Sequence, residues 1–441
     1  MTVSFRTFGC RLNQYDTQYL QEGFRQAGFE DCSAGVHPPP NCRQDFKSCD
    51  VCVINTCTVT SRAAREARNA IRTEARKSNK PFIIVTGCYA RLDPNGLSSI
   101  PGVGLVEPEP RKIISNFLHV PLPRSIKNFD GHSKAFVKVQ EGCDQFCSYC
   151  IVPYVRGVPK SRPMKEVICE IKALIDNGYE EFILTGTNLG KYSNLLDIIK
   201  AIEKIGGVYR VGIGSIEPIG ISDEFLDFVG NSRKFAKYLH LPLQSGDDSI
   251  LKSMDRWYTV AEYEELLHRI KENLPEVAIG ADVIVGFPGE GEREFMNTYS
   301  LVSRAPISRL HVFRYSERPG TKATGLPNKV PDAIKKERSK VLRELGEKKW
   351  ENYRSQFIGR TLEAHVESNP IVTRDGGSCF LTNANHEHKS RIGVTSNYIK
   401  VLFKPHKTFG PCSDTPWRVT TKFVNLRIKG VDGTLTYGEI T

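Results

Sequence analysis

Residues 141–150 read Glu-Gly-Cys-Asp-Gln-Phe-Cys-Ser-Tyr-Cys, and this stretch decides how the centre of the chain folds. Cys143, Cys147 and Cys150 offer three clustered thiolates in a CxxxCxxC spacing, with no obvious fourth ligand. A structural zinc site closes a tetrahedron with four protein ligands. The nearest cysteine downstream, Cys169, sits in an amphipathic helical pattern with no histidine beside it, so zinc is the weaker reading. A [4Fe–4S] cluster held by three cysteines leaves one iron open to a small molecule, a position suited to the amino and carboxylate groups of S-adenosylmethionine (SAM).

The triad follows a predicted strand, Ala135 to Gln140, and the pattern outward from it is regular. Further strands are predicted at Phe182 to Leu184, Tyr209 to Ile213, Tyr238 to Leu243, Ala278 to Val285 and Arg309 to Tyr315. Helical periodicity separates them, as at Lys165 to Asn177 and Val260 to Asn273. Six βα repeats argue for a partial parallel barrel, whose working face is the carboxyl end of its strands. The triple-cysteine loop leaves the first strand and so lies on that face. Lys329 to Arg354 reads as a long exposed helix, and beyond Phe357 the pattern turns to short β runs: Thr361 to Val366, Tyr398 to Phe403, Val419 to Ile428 and Thr434 to Glu439. Such a segment suits a small barrel of the kind that handles oligonucleotides.

Upstream, Thr2 to Phe8, Val51 to Ile54 and Phe82 to Val85 look like short buried strands, with helical patterns near Gln14 to Ala27 and Thr60 to Lys77. A cysteine follows each strand: Cys10, Cys57 and Cys88. If the strands are parallel, the three thiols emerge at one carboxyl edge, where open α/β folds assemble their sites, and could hold a second cluster. The other reading is burial as small apolar residues, common for free cysteine. Cys32, Cys42, Cys49 and Cys52 receive no function; the stretch His37-Pro-Pro-Pro-Asn-Cys42 reads as an inserted loop. A proline-rich linker is expected from Pro101 to Asp130.

Composition narrows the function classes. The 441 residues suggest two or three domains, and a formal charge of +11 favours a polyanionic partner over an acidic small molecule alone. The thirteen cysteines follow no secretory signal, and no stretch approaches a membrane span, so a disulfide scaffold and a membrane protein are both disfavoured. A reducing, cytoplasmic setting is expected.

The barrel offers candidate SAM contacts at strand ends. Leu184-Thr-Gly-Thr-Asn188 and Gly212-Ile-Gly-Ser-Ile-Glu217 combine small residues with a polar group, and Glu217 is hard to explain as packing. Gln244 ends His240-Leu-Pro-Leu-Gln-Ser-Gly246, and Asp282 lies in Gly280-Ala-Asp-Val-Ile-Val-Gly-Phe-Pro-Gly289. His240 by itself reads as a satisfied core histidine. Arg65, Arg68, Arg72 and Arg76 recur at helical spacing and form either an RNA-facing stripe or a solvated face.

Over nearly its whole length the chain resembles the radical SAM methylthiotransferases. The resemblance rests on Gly9-Cys-Arg-Leu-Asn-Gln-Tyr-Asp-Thr17, Ile54-Asn-Thr-Cys-Thr-Val-Thr60, Thr86-Gly-Cys-Tyr-Ala90, Glu141 to Gly157, His240 to Gly246, Asp282 to Glu290, Tyr315 to Ala323 and Gly393-Val-Thr-Ser-Asn-Tyr-Ile-Lys400. It implies an α/β architecture of three parts: an open α/β methylthiotransferase domain over 1–120, a partial (β/α)6 radical SAM barrel with its following helix over 130–356, and a small β-barrel TRAM domain for RNA over 357–441. It implies two [4Fe–4S] clusters, an auxiliary one on Cys10, Cys57 and Cys88 and the SAM-binding one on Cys143, Cys147 and Cys150. Contacts to SAM from Tyr149, Glu217 and Gln244 are expected with them. Departures from the family's pattern are the insertion near His37 to Cys49, Val106-Glu107 and Arg314.

The resemblance further implies that a SAM-derived radical removes hydrogen from carbon 2 of an adenine, a position no ordinary side-chain base can deprotonate. Sulfur comes from the auxiliary cluster and the methyl group from a second SAM. Arg11-Leu-Asn, Asn55 to Thr60 and His311-Val-Phe most resemble the branch acting on N6-threonylcarbamoyladenosine at tRNA position 37. The expected partners are the tRNA anticodon loop and a reducing electron-transfer protein. The alternatives are a sister branch acting on isopentenyl-adenosine or a ribosomal-protein aspartate, and a non-catalytic iron–sulfur or zinc RNA-binding protein.

Overall fold

A computed structural model describes residues 1–33, 49–129, 132–367, 391–404 and 423–441. The inserted loop with His37 and Cys42, Lys407 and the start of the strand expected at Val419 lie outside the described residues. The chain forms two compact units, the first built from residues 1–177, 182–192 and 316–324, the second from 178–181, 193–315 and 325–441.

In the first unit a five-stranded sheet runs in the order Glu30–Asp31, Thr2–Thr7, Val51–Thr56, Phe82–Gly87, Val103–Val106, with every pairing parallel. Its central strand Val51–Thr56 is buried at all six positions, as a strand covered on both faces must be. Alternation divides its side chains. Cys52 and Ile54 join Ala64, Ala67 and Ile71 of helix Ser61–Ala75, whereas Val51 and Val53 join Leu20 and Phe24 of helix Arg11–Gln26. The helix Ser61–Ala75 starts where Thr60 Oγ1 accepts the Ala63 N–H at 3.1 Å.

The stretch expected to be a linker contributes structure instead. Val103–Val106 is the fifth strand, and Ile113 and Ile114 are fully buried beneath the sheet. The glycines and prolines around them hid a strand of four residues, in which Gly104 leaves room for the ring of Phe82. Also in this unit, Ala135–Lys138 pairs in parallel with residues 182–185, from Ala135↔Phe182 to Lys138↔Thr185.

The second unit carries the parallel strands Tyr238–His240, Ala278–Val285 and Arg309–Arg314. Strand and helix boundaries follow the expected βα alternation; helix Val260–Asn273 begins with a capping box of Thr259 and Glu262. The C-terminal strands close into a barrel in the order Thr361–Val366, Arg391–Thr395, Lys400–Phe403, Leu435–Ile440, Phe423–Asp432. Arg391–Thr395 was absent from the expected strands; its Gly393 faces Ala364 and Leu426, where a Cβ would come within 3 Å of both. The barrel is not a separate bead. Tyr353 and Phe357, at the end of the long helix Asp332–Ser355, share one core with Ala364, Val401, Leu426 and Ile428, and with Tyr238 and Ala278 of the parallel strands. Buried Glu181 Oε2 lies 2.9 Å from His365 Nδ1, and Arg210 donates to the Val394 carbonyl at 3.2 Å.

Among the described residues, no helix is long and apolar enough to cross a membrane.

Candidate active site

The three N-terminal cysteines leave one edge of the sheet. Strand ends are aligned by Thr7↔Asn55, Asn55↔Thr86 and Thr56↔Gly87, and the chain emerges as Cys10, Cys57 and Cys88. Cys10 occupies the N-cap position of helix Arg11–Gln26 and Cys88 opens the short helix Cys88–Leu92. Gly9 has φ of 108°, and a Cβ there would lie 2.9 Å from Cys57 Sγ, so only glycine lets these two loops approach. Asn13 ties them further, its Nδ2 donating to the carbonyls of Phe8 at 2.7 Å and Thr56 at 3.0 Å. Asn55 returns the tie by donating to the Asn13 carbonyl at 2.9 Å.

Electrostatics make this a poor place for free thiols to ionise. Burial pushes the Cys57 thiol up to about 11, and its neighbours Cys88 and Cys10 add to the rise. Burial also raises Cys88, with Arg156 opposing. Adjacent thiols that repel one another's ionised forms are neutralised by a bound cation, and metal binding is what releases their protons. The donor set therefore fits an iron–sulfur cluster.

The second triad lies on the loop after Gln140–Glu141. The Cys143 N–H donates to the Gly157 carbonyl at 2.8 Å and the Cys150 N–H to the Cys147 carbonyl at 2.9 Å, so the loop folds back on itself. Residues of the Leu184–Asn188 stretch meet this loop. Thr187 Oγ1 accepts the Gly142 N–H at 3.1 Å, and Asn188 Nδ2 lies 3.8 Å from Cys143 Sγ and 2.8 Å from Gln145 Oε1. The Tyr315–Ala323 stretch also contributes, through the Ala323 N–H bonded to the Ser148 carbonyl at 2.7 Å. Tyr149 sits half-buried in the turn beside Cys150. Cys169 is exposed on helix Met164–Asp176.

Sequence reasoning missed the group that joins the two triads. Helix Val152–Arg156 follows Cys150, and Ile151 and Val155 pack against Cys88. Arg156 Nε donates to Cys88 Sγ at 3.2 Å, while Nη1 binds Asp16 at 2.9 Å and Glu141 at 2.6 Å and Nη2 binds Asn13 Oδ1. Lys138 completes the network at 2.6 Å from Asp16 and 3.2 Å from Glu141. Burial would raise the Glu141 carboxyl, but Lys138 and Arg156 outweigh it and bring it down to about 2. Arg318 was missed as well: it is buried and donates to Thr58 Oγ1 at 2.6 Å, next to Cys57. Both arginines lie inside stretches quoted for the resemblance, yet nothing local marks their partners.

The arginine stripe is divided. The Arg68 guanidinium stacks on the Tyr89 ring at 5.5 Å and binds its hydroxyl, whereas Arg65, Arg72 and Arg76 are exposed. Cys49 and Cys52, given no function, are core residues, with Cys49 Sγ 3.0 Å from Ser4 Oγ.

In the second unit, Glu217 follows strand Arg210–Ile213 and pairs with the buried Arg256, which stacks on Trp257 at 4.3 Å. Burial raises its carboxyl against the pull of Arg256. Gln244 has φ of 68° and is pinned by its own N–H to the Asp282 carbonyl at 2.8 Å. His240 is a buried histidine with partners on both ring nitrogens, as expected of a core histidine: Tyr238 Oη lies 3.2 Å away and Asp282 Oδ1 3.0 Å, and His311 reaches the same Asp282 oxygen at 3.2 Å.

Comparison with known proteins agrees with this anatomy. Residues 137–302 match the Radical SAM superfamily and residues 2–106 match Uncharacterized protein family UPF0004. Among solved structures, that of the radical S-adenosylmethionine methyltransferase TsrM from Kitasatospora setae, with cobalamin and [4Fe-4S] cluster bound, shares the fold. Its TM-score is 0.54 at 15% identity, over 73% of this chain and 77% of that one. Threonylcarbamoyladenosine tRNA methylthiotransferase MtaB of Aquifex aeolicus (strain VF5) is 38% identical over 401 residues, 85% of this chain and 95% of its own. The tRNA-2-methylthio-N(6)-dimethylallyladenosine synthase of Syntrophus aciditrophicus (strain SB) is 32% identical over 434 residues, 91% of this chain and 92% of its own. Fold and triple-cysteine loop thus define a radical SAM enzyme, with a [4Fe–4S] cluster and SAM as cofactors. Within that superfamily the chain belongs to the methylthiotransferases.

Proposed function

We propose that the protein is a tRNA methylthiotransferase that converts N6-threonylcarbamoyladenosine at position 37 to its 2-methylthio derivative. The observation that carries this reading is the higher identity to the threonylcarbamoyladenosine relative, 38% against 32% for the dimethylallyladenosine one, together with the Arg11-Leu-Asn, Asn55–Thr60 and His311-Val-Phe stretches. The +11 charge supports an RNA partner.

In this reading Cys143, Cys147 and Cys150 hold the SAM-binding cluster, and Cys10, Cys57 and Cys88 hold an auxiliary one. When bound, these groups supply one-electron chemistry at an unactivated carbon and the sulfur to be inserted. The chain's own residues do the rest. Arg156 sets a positive charge beside Cys88, which favours its thiolate form. Tyr149, Glu217 and Gln244 orient SAM, and the rigid Glu217–Arg256 pair keeps that carboxylate from swinging away. Exposed Arg65, Arg72 and Arg76 grip phosphate. Residues 1–120, 130–356 and 357–441 serve as the auxiliary-cluster, radical and RNA-binding parts, in the cytoplasm and with a small reducing protein as electron donor.

Nucleoside mass spectrometry of tRNA from a deletion strain tests the assignment. Loss of the methylthio group from threonylcarbamoyladenosine, restored by this gene, is the expected result. Loss only from the isopentenyl nucleoside, or an altered ribosomal protein with unchanged tRNA, moves the protein to a sister branch.

A further inference from the structure

The strands Tyr238–His240, Ala278–Val285 and Arg309–Arg314 carry a chain of four polar side chains. Tyr238 Oη lies 3.2 Å from His240 Nδ1, His240 Nε2 lies 3.0 Å from Asp282 Oδ1, and His311 Nδ1 lies 3.2 Å from that same oxygen. Asp282 and His311 are register partners, so the contact is built into the strand pairing. Gly280 makes the room: a Cβ there would sit 2.3 Å from Tyr238 Oη and 2.8 Å from His240 Nδ1. Leu310 packs on Gly346 of the long helix, so alternation turns His311 to the opposite face of the sheet. On that face exposure rises along the chain, with side chains 9% exposed at His240, 23% at Asp282 and 42% at His311. The polar chain therefore begins in the core and ends at an open imidazole.

Its chemistry is specific. A neutral His311 that donates its Nδ1 hydrogen to Asp282 keeps a lone pair on Nε2 for a ligand hydroxyl or amide N–H, and a protonated ring offers Nε2–H to a carboxylate. A threonylcarbamoyl group carries an amide N–H, a hydroxyl and a carboxylate; an isopentenyl group carries none of them. Covering His311 with hydrocarbon would take its Nε2 out of water with nothing to bond, which selects against such a ligand. His311 also lies in one of the stretches on which the branch resemblance rests. We propose that His311, held by Asp282 and His240, is a specificity-determining residue that hydrogen-bonds the polar N6 substituent of the substrate adenosine. This deepens the proposed function and rests on it.

The test uses the full-length, cluster-reconstituted protein and synthetic anticodon stem-loops carrying threonylcarbamoyladenosine, isopentenyl-adenosine or plain adenosine at position 37. Fluorescence anisotropy at fixed salt measures their binding. The wild type should favour the threonylcarbamoyl loop, and H311L should weaken that loop by about 10- to 100-fold while leaving the plain loop within about threefold. H311Q, which keeps a hydrogen-bonding group of similar size, should retain part of the preference and serves if H311L fails to fold. A folded H311L or H311Q with undiminished preference overturns the inference and leaves the substrate assignment standing. A wild type that favours the isopentenyl loop overturns both. Zinc retained stoichiometrically by the wild type and lost from H311L overturns it in favour of a metal centre, because the three donor atoms lie within 4.8 Å of one another.

Discussion

Arg156 Nε stands 3.2 Å from Cys88 Sγ while the same guanidinium binds Asp16 and Glu141. The loop of one cysteine triad thus ends in a cation seated on a thiol of the other. Arg156 and Asp16 side chains are each 7% exposed, so removing the cation takes one of two ionic partners from a buried carboxylate, leaves it Lys138 alone, and also removes the donors to Glu141, Asn13 and Cys88. R156A is expected to cost about 3 kcal/mol. That lowers Tm by about 6–12 °C in a unit of this size, measured by thermal denaturation of the apoprotein. R156K should recover the charge but not the fork, and regain only part of the loss.

Iron content separates the triads. Replacing Cys143, Cys147 and Cys150 together with alanine should halve the iron and sulfide of anaerobically reconstituted protein. Complete loss, or a single metal per chain in the wild type, would contradict two independent clusters.

Activity should divide the same way. With Cys10, Cys57 and Cys88 replaced, a folded protein should still cleave SAM to 5′-deoxyadenosine, yet insert no sulfur. Chromatographic assay of both products on one sample distinguishes this from a general loss of function.

Glu141 predicts an acid limb in stability. Burial works against its carboxylate, but Lys138 and Arg156 lower it from 4.5 to about 2 in the folded state. A group depressed on folding stabilises fully above its unfolded value, so its share is present above about pH 4.5 and disappears as pH falls toward 2. Denaturant titrations between pH 6 and 3 should show a shallower decline in E141Q than in wild type.

RNA affinity should answer to exposed lysines of the C-terminal barrel. Lys400 and Lys404 are both exposed at one strand, Lys400–Phe403, and its end. K400A/K404A should weaken tRNA binding and reduce the slope of log K against log salt by about 1 per lost phosphate contact. An unchanged slope would return both lysines to the solvated surface. Truncation at Phe357 is the poorer test, because Phe357 is 2% exposed within the shared core.

The strands were legible wherever burial was two-sided and the run long enough. Val51–Thr56 and Ala278–Val285 are mostly apolar stretches bounded by turns, and the cysteine after the first and the carboxylate within the second could be read directly. Val103–Val106 and Arg391–Thr395 are short and contain glycine, so local pattern could not separate them from loops. The cysteine triads were visible because ligand spacing is a local property. Arg156 was not, since its partner Asp16 is 140 residues away, and a charge that is paired only in three dimensions looks like any surface arginine. His240 could be read as a buried histidine, but its partners could not, because only strand register brings Asp282 and His311 together beside it.

The core that Tyr353 and Phe357 share with the C-terminal barrel also bears on recombination. A relative's barrel grafted at residue 357 would meet a foreign helix end and foreign partners for Tyr238 and Ala278, and the buried contact of Glu181 with His365 would have to be matched on both sides of the junction. Crossovers placed before Asp332 carry the helix with its barrel, but still break those contacts. The natural unit of exchange is larger than the β-barrel, and chimeras built to exchange the barrel will fold best when it travels with the strands it packs on.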